Sequence, residues 1–383
     1  MQDQRALFDI PDEIAYFNTA YFSPLLNASR DRIINGLNQK IHPWERLPED
    51  FFDDANRVRE LAAGLFGGDA EGYAITPSAS YGLSTAARAV EPVIQKGDVI
   101  LLLAEDFPSA VLPWYRVAKE RGAVLHTVPV PEDGNWTKAI LDQIGPGIRV
   151  AAVTSCHWTN GAYVNLEAVG EACRRNDTIL VVDATQSLGA MPLSMDTVQP
   201  DFLAASGYKW LLFPYGASLL YVSPRWRNAR PLEESWITRA NACDFTGLTT
   251  YVDAYLPGAR RFDVGETCNP VTLPGAIAAM EQLQSWGITR IAKTLEGINT
   301  RLCNALQTMG FLVPDASHRS PHMFGAKLPA TYTGNLLQDL RPHEIFLSQR
   351  GQFVRISPHL HINDHDIDRL LQVLEETVKG KLH

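Results

Sequence analysis

Residues 179–190 read Ile179-Leu-Val-Val-Asp183-Ala-Thr-Gln186-Ser-Leu-Gly-Ala190, and a second apolar run follows as Asp201-Phe-Leu-Ala-Ala-Ser206-Gly-Tyr-Lys209-Trp210. Each begins as a short strand rich in β-branched or apolar residues and ends at a turn carrying polar groups. Five further runs of the same texture surround them: Tyr73–Thr76, Val99–Leu103, Val124–Val128, Val150–Ser155 and Ser218–Val222. Runs such as Val-Ile-Leu-Leu-Leu at 99–103 are apolar on both faces. A strand tolerates that only inside a largely parallel sheet with helices on both sides. The pattern predicts an α/β chain with one seven-stranded, mostly parallel sheet whose ligand crevice lies at the carboxyl ends of the strands.

Beyond residue 260 the texture changes. A helical stretch at Leu273–Trp286 precedes short strands near Phe324–Leu328 and Phe353–Ile356 and a terminal helix at Asp364–Val378. The expected division is an N-terminal segment 1–20 that contributes to the site and the small domain, a large domain 21–260, and a smaller α+β C-terminal domain 261–383.

The bulk numbers narrow the function classes. Among 383 residues, 45% are hydrophobic and 20% charged, which suits an ordinary packed protein. A formal charge of −9 argues against nucleic acid as a partner, because that binding draws on clustered Lys and Arg. Five scattered cysteines without C-x-x-C spacing suit neither a disulfide framework nor a metal site, and point to a reducing cytoplasm. No basic leader or window of ~18 apolar residues is visible, so neither secretion nor a membrane is expected.

Asp183 and Lys209 end adjacent strands and should share one edge of the sheet. An acidic residue ending a strand also serves as a helix cap, and a lysine after a strand is usually a surface lysine. Ser206-Gly207 before the lysine and Trp210-Leu-Leu-Phe after it suit an enclosed loop better than an open one. A lysine beside a carboxylate in such a place has a specific use with pyridoxal 5′-phosphate (PLP): the amine forms a Schiff base and the carboxylate keeps the pyridine nitrogen protonated. Gln186 is positioned to hydrogen-bond the ring's phenolic oxygen.

An ordered set of motifs extends this reading over nearly the whole chain: Tyr-Phe-Asn-Thr-Ala at 16–20, Thr-Pro-Ser-Ala-Ser-Tyr-Gly at 76–82, Asp-Phe-Pro-Ser at 106–109, His-Trp-Thr-Asn-Gly at 157–161, Val-Asp-Ala-Thr-Gln at 182–186, Ser-Gly-Tyr-Lys at 206–209 and Val-Arg-Ile-Ser-Pro-His-Leu at 354–360. In these the chain resembles the class V aminotransferase family of fold-type I PLP enzymes, and within it the branch of cysteine desulfurases, kynureninases and isopenicillin-N epimerase-like proteins. The resemblance implies that Ser78, Ala79 and Ser80 hold the cofactor phosphate at a helix start, with Ser206 and Tyr208 adding contacts. It implies that Phe107 stacks on the pyridine and that Asn160 lies near the phenolic oxygen. Arg355 is implied to grip the substrate α-carboxylate, with Asn18 and Ala20 lining the same pocket. Thr267, in Asp263-Val-Gly-Glu-Thr267, corresponds to a segment that reaches the phosphate of a partner subunit, so a homodimer is implied. His157 receives no role.

The reaction stays open among transamination, a carbon–sulfur or kynureninase-like carbon–carbon β-lyase reaction, and epimerisation, with transamination leading. Persulfide-forming desulfuration is disfavoured, because the family's desulfurases carry a nucleophilic cysteine shortly before the Val-Arg-Ile-Ser segment and this chain has none after Cys303. A catalytically idle scaffold is the reading from another class, and the joint presence of Asp183, Gln186, Lys209 and Arg355 argues against it.

Overall fold

A computed structural model describes residues 1, 4–330 and 332–380. Twelve strands in chain order are β1 (Ala15–Tyr16), β2 (Tyr73–Thr76), β3 (Val99–Leu103), β4 (Val124–Val128), β5 (Ile148–Thr154), β6 (Ile179–Asp183), β7 (Phe202–Ser206), β8 (Ser218–Val222), β9 (Phe324–Lys327), β10 (Ile345–Phe346), β11 (Ser348–Arg350) and β12 (Phe353–Ile356). Seven of them form one sheet in the order β2-β8-β7-β6-β5-β3-β4. All neighbours run parallel except β8, which is antiparallel to both β2 and β7.

Two reversals at β8 restore the direction of β2, and this has a consequence for the site. Thr76 pairs with Ser218, which pairs with Ser206, while Asp183 pairs with Thr154 and Ala204. The carboxyl ends of β2, β5, β6 and β7 therefore meet on one edge, with β3 delivering Glu105–Phe107 beside them. Every side chain of β2, β6, β7 and β8 is buried. Apolar runs without alternation become strands here because helices cover both faces. Ile100, Leu102, Val181 and Ala204 pack on one face with Leu83 and Trp114; Leu101, Leu103, Val182 and Leu203 pack on the other with Val169 and Leu273.

The second, smaller sheet is antiparallel, in the order β11-β12-β9, and β1 pairs with β10 in a separate two-stranded ribbon. Its core joins Phe324, Val354, Ile356 and Leu370 to Ala15 and Phe17 from the start of the chain. Helix Thr272–Trp286 lies beyond the boundary expected near residue 261, yet Leu273, Ala276 and Met280 pack into the core of the large sheet. Helix Ile288–Thr308 spans both cores: Ile291 and Leu295 join the first, Leu302 and Leu306 the second.

Asp263 anchors the long segment after β8. Its carboxylate is buried, pairs with Arg59 and accepts the Ile75 N–H at 2.8 Å. Burial pushes the Asp263 carboxyl upward, and the Arg59 guanidinium opposes that rise. Removing one partner of such a pair strands the other charge, at a cost of about 3–5 kcal/mol. Asp263→Ala should therefore lower the urea midpoint of unfolding by a corresponding amount, while Glu132→Ala, at an exposed turn, should leave it nearly unchanged.

Candidate active site

Lys209 reaches the sheet edge because the chain turns tightly after β7. The Gly207 N–H donates to the Ala217 carbonyl at 3.2 Å and its own carbonyl accepts from Phe213 at 3.0 Å. A Cβ at Gly207 would lie 2.4 Å from the Ala217 oxygen and 2.3 Å from the Phe213 ring. The partly buried Lys209 amine sits 5.8 Å from the centre of the Phe107 ring and 5.6 Å from that of Tyr208. Burial and the nearby Arg355 guanidinium, with a further contribution from Arg350, bring its pKa down to about 8 against the opposing pull of Asp183.

Asp183 is buried at the end of β6 and accepts the Thr185 N–H at 2.9 Å. The Thr185 hydroxyl oxygen in turn accepts the Ser206 N–H at 3.1 Å, which ties the ends of β6 and β7 together. Burial raises the Asp183 carboxyl, while hydrogen bonds from Thr185 and the charge of Lys209 draw it back. A second carboxylate, Asp106, is pushed up to about 7 by burial and by Asp183. Its presence beside Asp183 was not read from the sequence, where Asp106 was only a letter in the 106–109 motif.

The stretch after β2 starts helix Ala79–Val90, with Ser78 as its cap: the Ser78 hydroxyl accepts the Tyr81 N–H at 3.1 Å. The N–H groups of Ala79 and Ser80 belong to the first turn, which has no intrahelical acceptors. Ser80 donates its hydroxyl to Ser109 at 2.7 Å, bridging to the start of helix Pro108–Arg121 beside Phe107. Phe107 itself is 41% exposed and meets Trp158 edge-on at 5.5 Å. This open aromatic face is suited to stacking.

At the other side of the site Arg355 is fully buried, donating to the Trp158 carbonyl at 2.7 Å and the Ser348 hydroxyl at 3.2 Å. Burial and the like charge of Arg350 lower its pKa to about 9. Residues 18–20 come from the opposite end of the chain. The Thr19 N–H donates to the Ser357 carbonyl, the Ala20 N–H to the Ser357 hydroxyl, and the Asn18 amide to the Leu347 carbonyl at 3.4 Å. Gln186 uses both ends of its amide within the protein, donating to the Ala20 carbonyl at 3.1 Å and accepting the Trp210 indole N–H at 2.9 Å. It holds the N-terminal segment against the lysine loop. Asn160 accepts the Ala162 N–H through its side-chain oxygen.

His157 stacks on Trp136 at 5.0 Å, with Nε2 donating to the Ala104 carbonyl and Nδ1 accepting from Thr159. Burial keeps it neutral. Thr267 is buried, donates its hydroxyl to the Val264 carbonyl, and lines a cleft with Phe51, Arg59 and Asp263. Sequence reasoning missed Trp158, Ser348 and Arg350; nothing in their local pattern pairs them with Lys209 or Arg355.

Residues 24–370 match the family model of aminotransferase class-V. The chain belongs to that family. Relatives include a probable cysteine desulfurase of Pyrococcus abyssi, 23% identical over 99% of this chain and 98% of its own. The isopenicillin N epimerase of Streptomyces clavuligerus is 26% identical over 83% of each chain. Among solved structures, the apo cysteine desulfurase of Thermococcus onnurineus superposes with a TM-score of 0.86 at 21% identity, covering 99% of both chains. A C-DES mutant with glycine covalently linked to its PLP cofactor gives a TM-score of 0.85 at 19% identity, over 97% of this chain and 99% of that one. The fold is fold-type I, and the protein is a PLP-dependent enzyme.

The residues present fit that cofactor. An amine of lowered pKa, a buried carboxylate facing it, an open aromatic face and a helix start with unpaired N–H groups converge on one strand edge. Gly207→Ala should destabilise the fold by about 1–3 kcal/mol through overpacking and reduce cofactor retention, read by denaturant titration and absorbance. In cofactor-free protein, acylation of Lys209 followed by mass spectrometry should show a midpoint near the lowered pKa of about 8. Arg355→Gln should move that midpoint up by removing a positive neighbour, and Asp183→Asn should move it down.

Proposed function

We propose that the enzyme transfers the amino group of an amino acid, with Lys209 as the proton-carrying base. The carrying observation is the Lys209 amine, partly buried and brought to about 8, between Asp183 and Arg355. PLP, when bound, supplies an electron sink for negative charge developed at the substrate α-carbon. Lys209 removes the α-proton and returns it, Asp183 keeps a positive charge on the pyridine nitrogen, and Arg355 orients the substrate by its α-carboxylate. Ser78, Ala79, Ser80, Ser206 and Tyr208 would hold the cofactor phosphate, Phe107 would stack on the ring, and Asn160 and Gln186 would border its phenolic oxygen, with Asn18 and Ala20 on the substrate side.

One base is enough to take a proton and give it back, whereas inversion at the α-carbon calls for a second carrier on the other face. His157 does not serve, since both ring nitrogens are engaged and burial keeps it neutral. A persulfide relay lacks its thiol: Cys156, near Arg355, is fully buried and its thiol is pushed up to about 12. The relatives named as desulfurase and epimerase thus share the scaffold without fixing this reaction.

A homodimer completes the proposal. Ile34, Leu37, Ile41, Trp44 and Leu47 are exposed along and after helix Asn27–Ile41, and Tyr21, Phe22 and Tyr215 are exposed near Tyr208. Such apolar surface favours a closed two-fold assembly that shields the site from water, with the Gly265–Thr267 segment facing the partner's phosphate. Among the described residues no helix is long and apolar enough to cross a membrane, and the cysteines are free, in keeping with a cytoplasmic setting.

Borohydride reduction and peptide mapping should tag Lys209, and Asp183→Asn should retain cofactor while slowing α-proton exchange by several orders of magnitude. A screen of amino acids recording ketoacid, ammonia and sulfide should show ketoacid formed only with an amino acceptor present. Ammonia or sulfide release without an acceptor would overturn transamination in favour of β-elimination. Sedimentation at low micromolar concentration should give a dimer.

A further inference from the structure

Arg355 is not the only guanidinium at this end of the site. β11 and β12 form an antiparallel hairpin in which Ser348 pairs with Arg355 and Arg350 with Phe353. The strands are joined by Gly351-Gln352, and Gly351 takes φ +56°, a turn conformation that glycine supplies readily. Directly paired residues share a face, and so do residues two apart on one strand. Arg350 and Arg355 are therefore diagonal neighbours on the same face of the hairpin.

Both act on Lys209, whose pKa each of them lowers, and Arg350 also lowers that of Arg355. Neither meets a carboxylate among the described residues. Arg355 is satisfied by a hydroxyl and a carbonyl; Arg350 donates to the Gln349 carbonyl at 2.7 Å. Burial lowers the pKa of Arg350, and its guanidinium lies 6.0 Å from the centre of the Tyr21 ring and 5.9 Å from that of Trp158. Several other shielded arginines pair with acids, Arg59 with Asp263, Arg5 with Asp366, Arg227 with Asp69 and Arg239 with Glu234, whereas the part-buried Arg46, Arg261 and Arg319 bond carbonyl or amide oxygens, away from Lys209.

Two guanidiniums thus act on the Lys209 amine, with Asp183 as the opposing carboxylate. On the reading that Arg355 takes the α-carboxylate, one positive group remains unanswered. Trp158 connects the two arginines, since its carbonyl holds Arg355, its ring lies beneath Arg350, and the same ring meets Phe107. A substrate extending from Arg355 along this aromatic wall brings its side chain to Arg350. We propose that Arg350 is a specificity-determining residue that binds a second anionic group, a carboxylate or related oxyanion, on the side chain of the amino-acid substrate. Its half-buried place over two aromatic rings strengthens such a pair relative to one in open water.

The test uses the cofactor-bearing enzyme and ligands without an amino group, which bind but do not react. Calorimetric titration compares succinate and glutarate with their monoamides, equal in shape but lacking the second charge. The best dicarboxylate should bind at least about tenfold more tightly than its monoamide, a difference of about 1.4 kcal/mol. Arg350→Gln should abolish that preference without weakening the monoamide, Arg350→Lys should restore part of it, and Arg355→Gln should weaken both ligands. In turnover, acidic amino acids should outperform their amides through KM more than kcat in the parent enzyme, and the advantage should vanish in Arg350→Gln. Equal affinity for dicarboxylate and monoamide in the parent, or a preference that survives Arg350→Gln, overturns the inference. Equal weakening of both ligands by Arg350→Gln also overturns it, because Arg350 would then share the α-carboxylate. Failure of the enzymatic reading shows separately, as protein without cofactor on Lys209 after borohydride reduction.

Discussion

A lysine amine is protonated at neutral pH unless its surroundings make the charge costly, and an amine that is always charged can neither form a Schiff base nor take a proton. Here the charge is made costly by partial burial and by two guanidiniums, and is held in check by one buried carboxylate. Most of the architecture is arranged around that balance. Lys209 comes from the turn after β7, Asp183 from the end of β6, and the arginines from a hairpin near the other end of the chain. The Ser206–Thr185–Asp183 hydrogen bonds fix the first two relative to one another, and Gln186 clamps the lysine loop through Trp210.

Positive charge near the amine must be limited as well as supplied. Three buried histidines, His322, His359 and His361, lie behind the lysine loop and around the N-terminal segment; His322 and His359 pack against Trp210. Burial lowers their pKa values to about 4, 3 and 4, so at neutral pH they pack without charge. His322 bonds the Gln186 carbonyl and His361 the Tyr16 carbonyl, joining the two units at the point where residues 16–20 enter the site. The N-terminal residues are thus part of the small unit's core and of the pocket wall together.

Most strands of the large sheet were legible because each is a short apolar run bounded by Gly, Pro or Asp, and burial on both faces removes any need for alternation; the edge strand β4 is half-exposed and carries β-branched residues instead. Val99–Leu103, Val124–Val128 and Ser218–Val222 have the limits read from the chain, and β5 begins two residues earlier. The ribbon strands β1 and β10 and strand β11, of two or three residues, carry no period at all, and they exist because tertiary pairing holds them. Gln186 shows the same limit at the site. Its place beside Asp183 suggests a cofactor contact, and only the fold adds that the same amide ties the Ala20 carbonyl to the Trp210 indole, partners 166 and 24 residues away along the chain.

By itself the amino-acid sequence determined the α/β class, the shared strand edge of Asp183 and Lys209, and the family motifs around them, because each of these is written in local runs and turns. Only the tertiary structure decided that Arg350 lies on one face with Arg355, that Asp106 sits within the field of Asp183, that helix Thr272–Trp286 belongs with the large-sheet core, and that His157 is a neutral packing group. The physical reason is range. Strand and turn signals act over a few residues, whereas charge balance and burial depend on which distant segments the fold brings within a few ångströms.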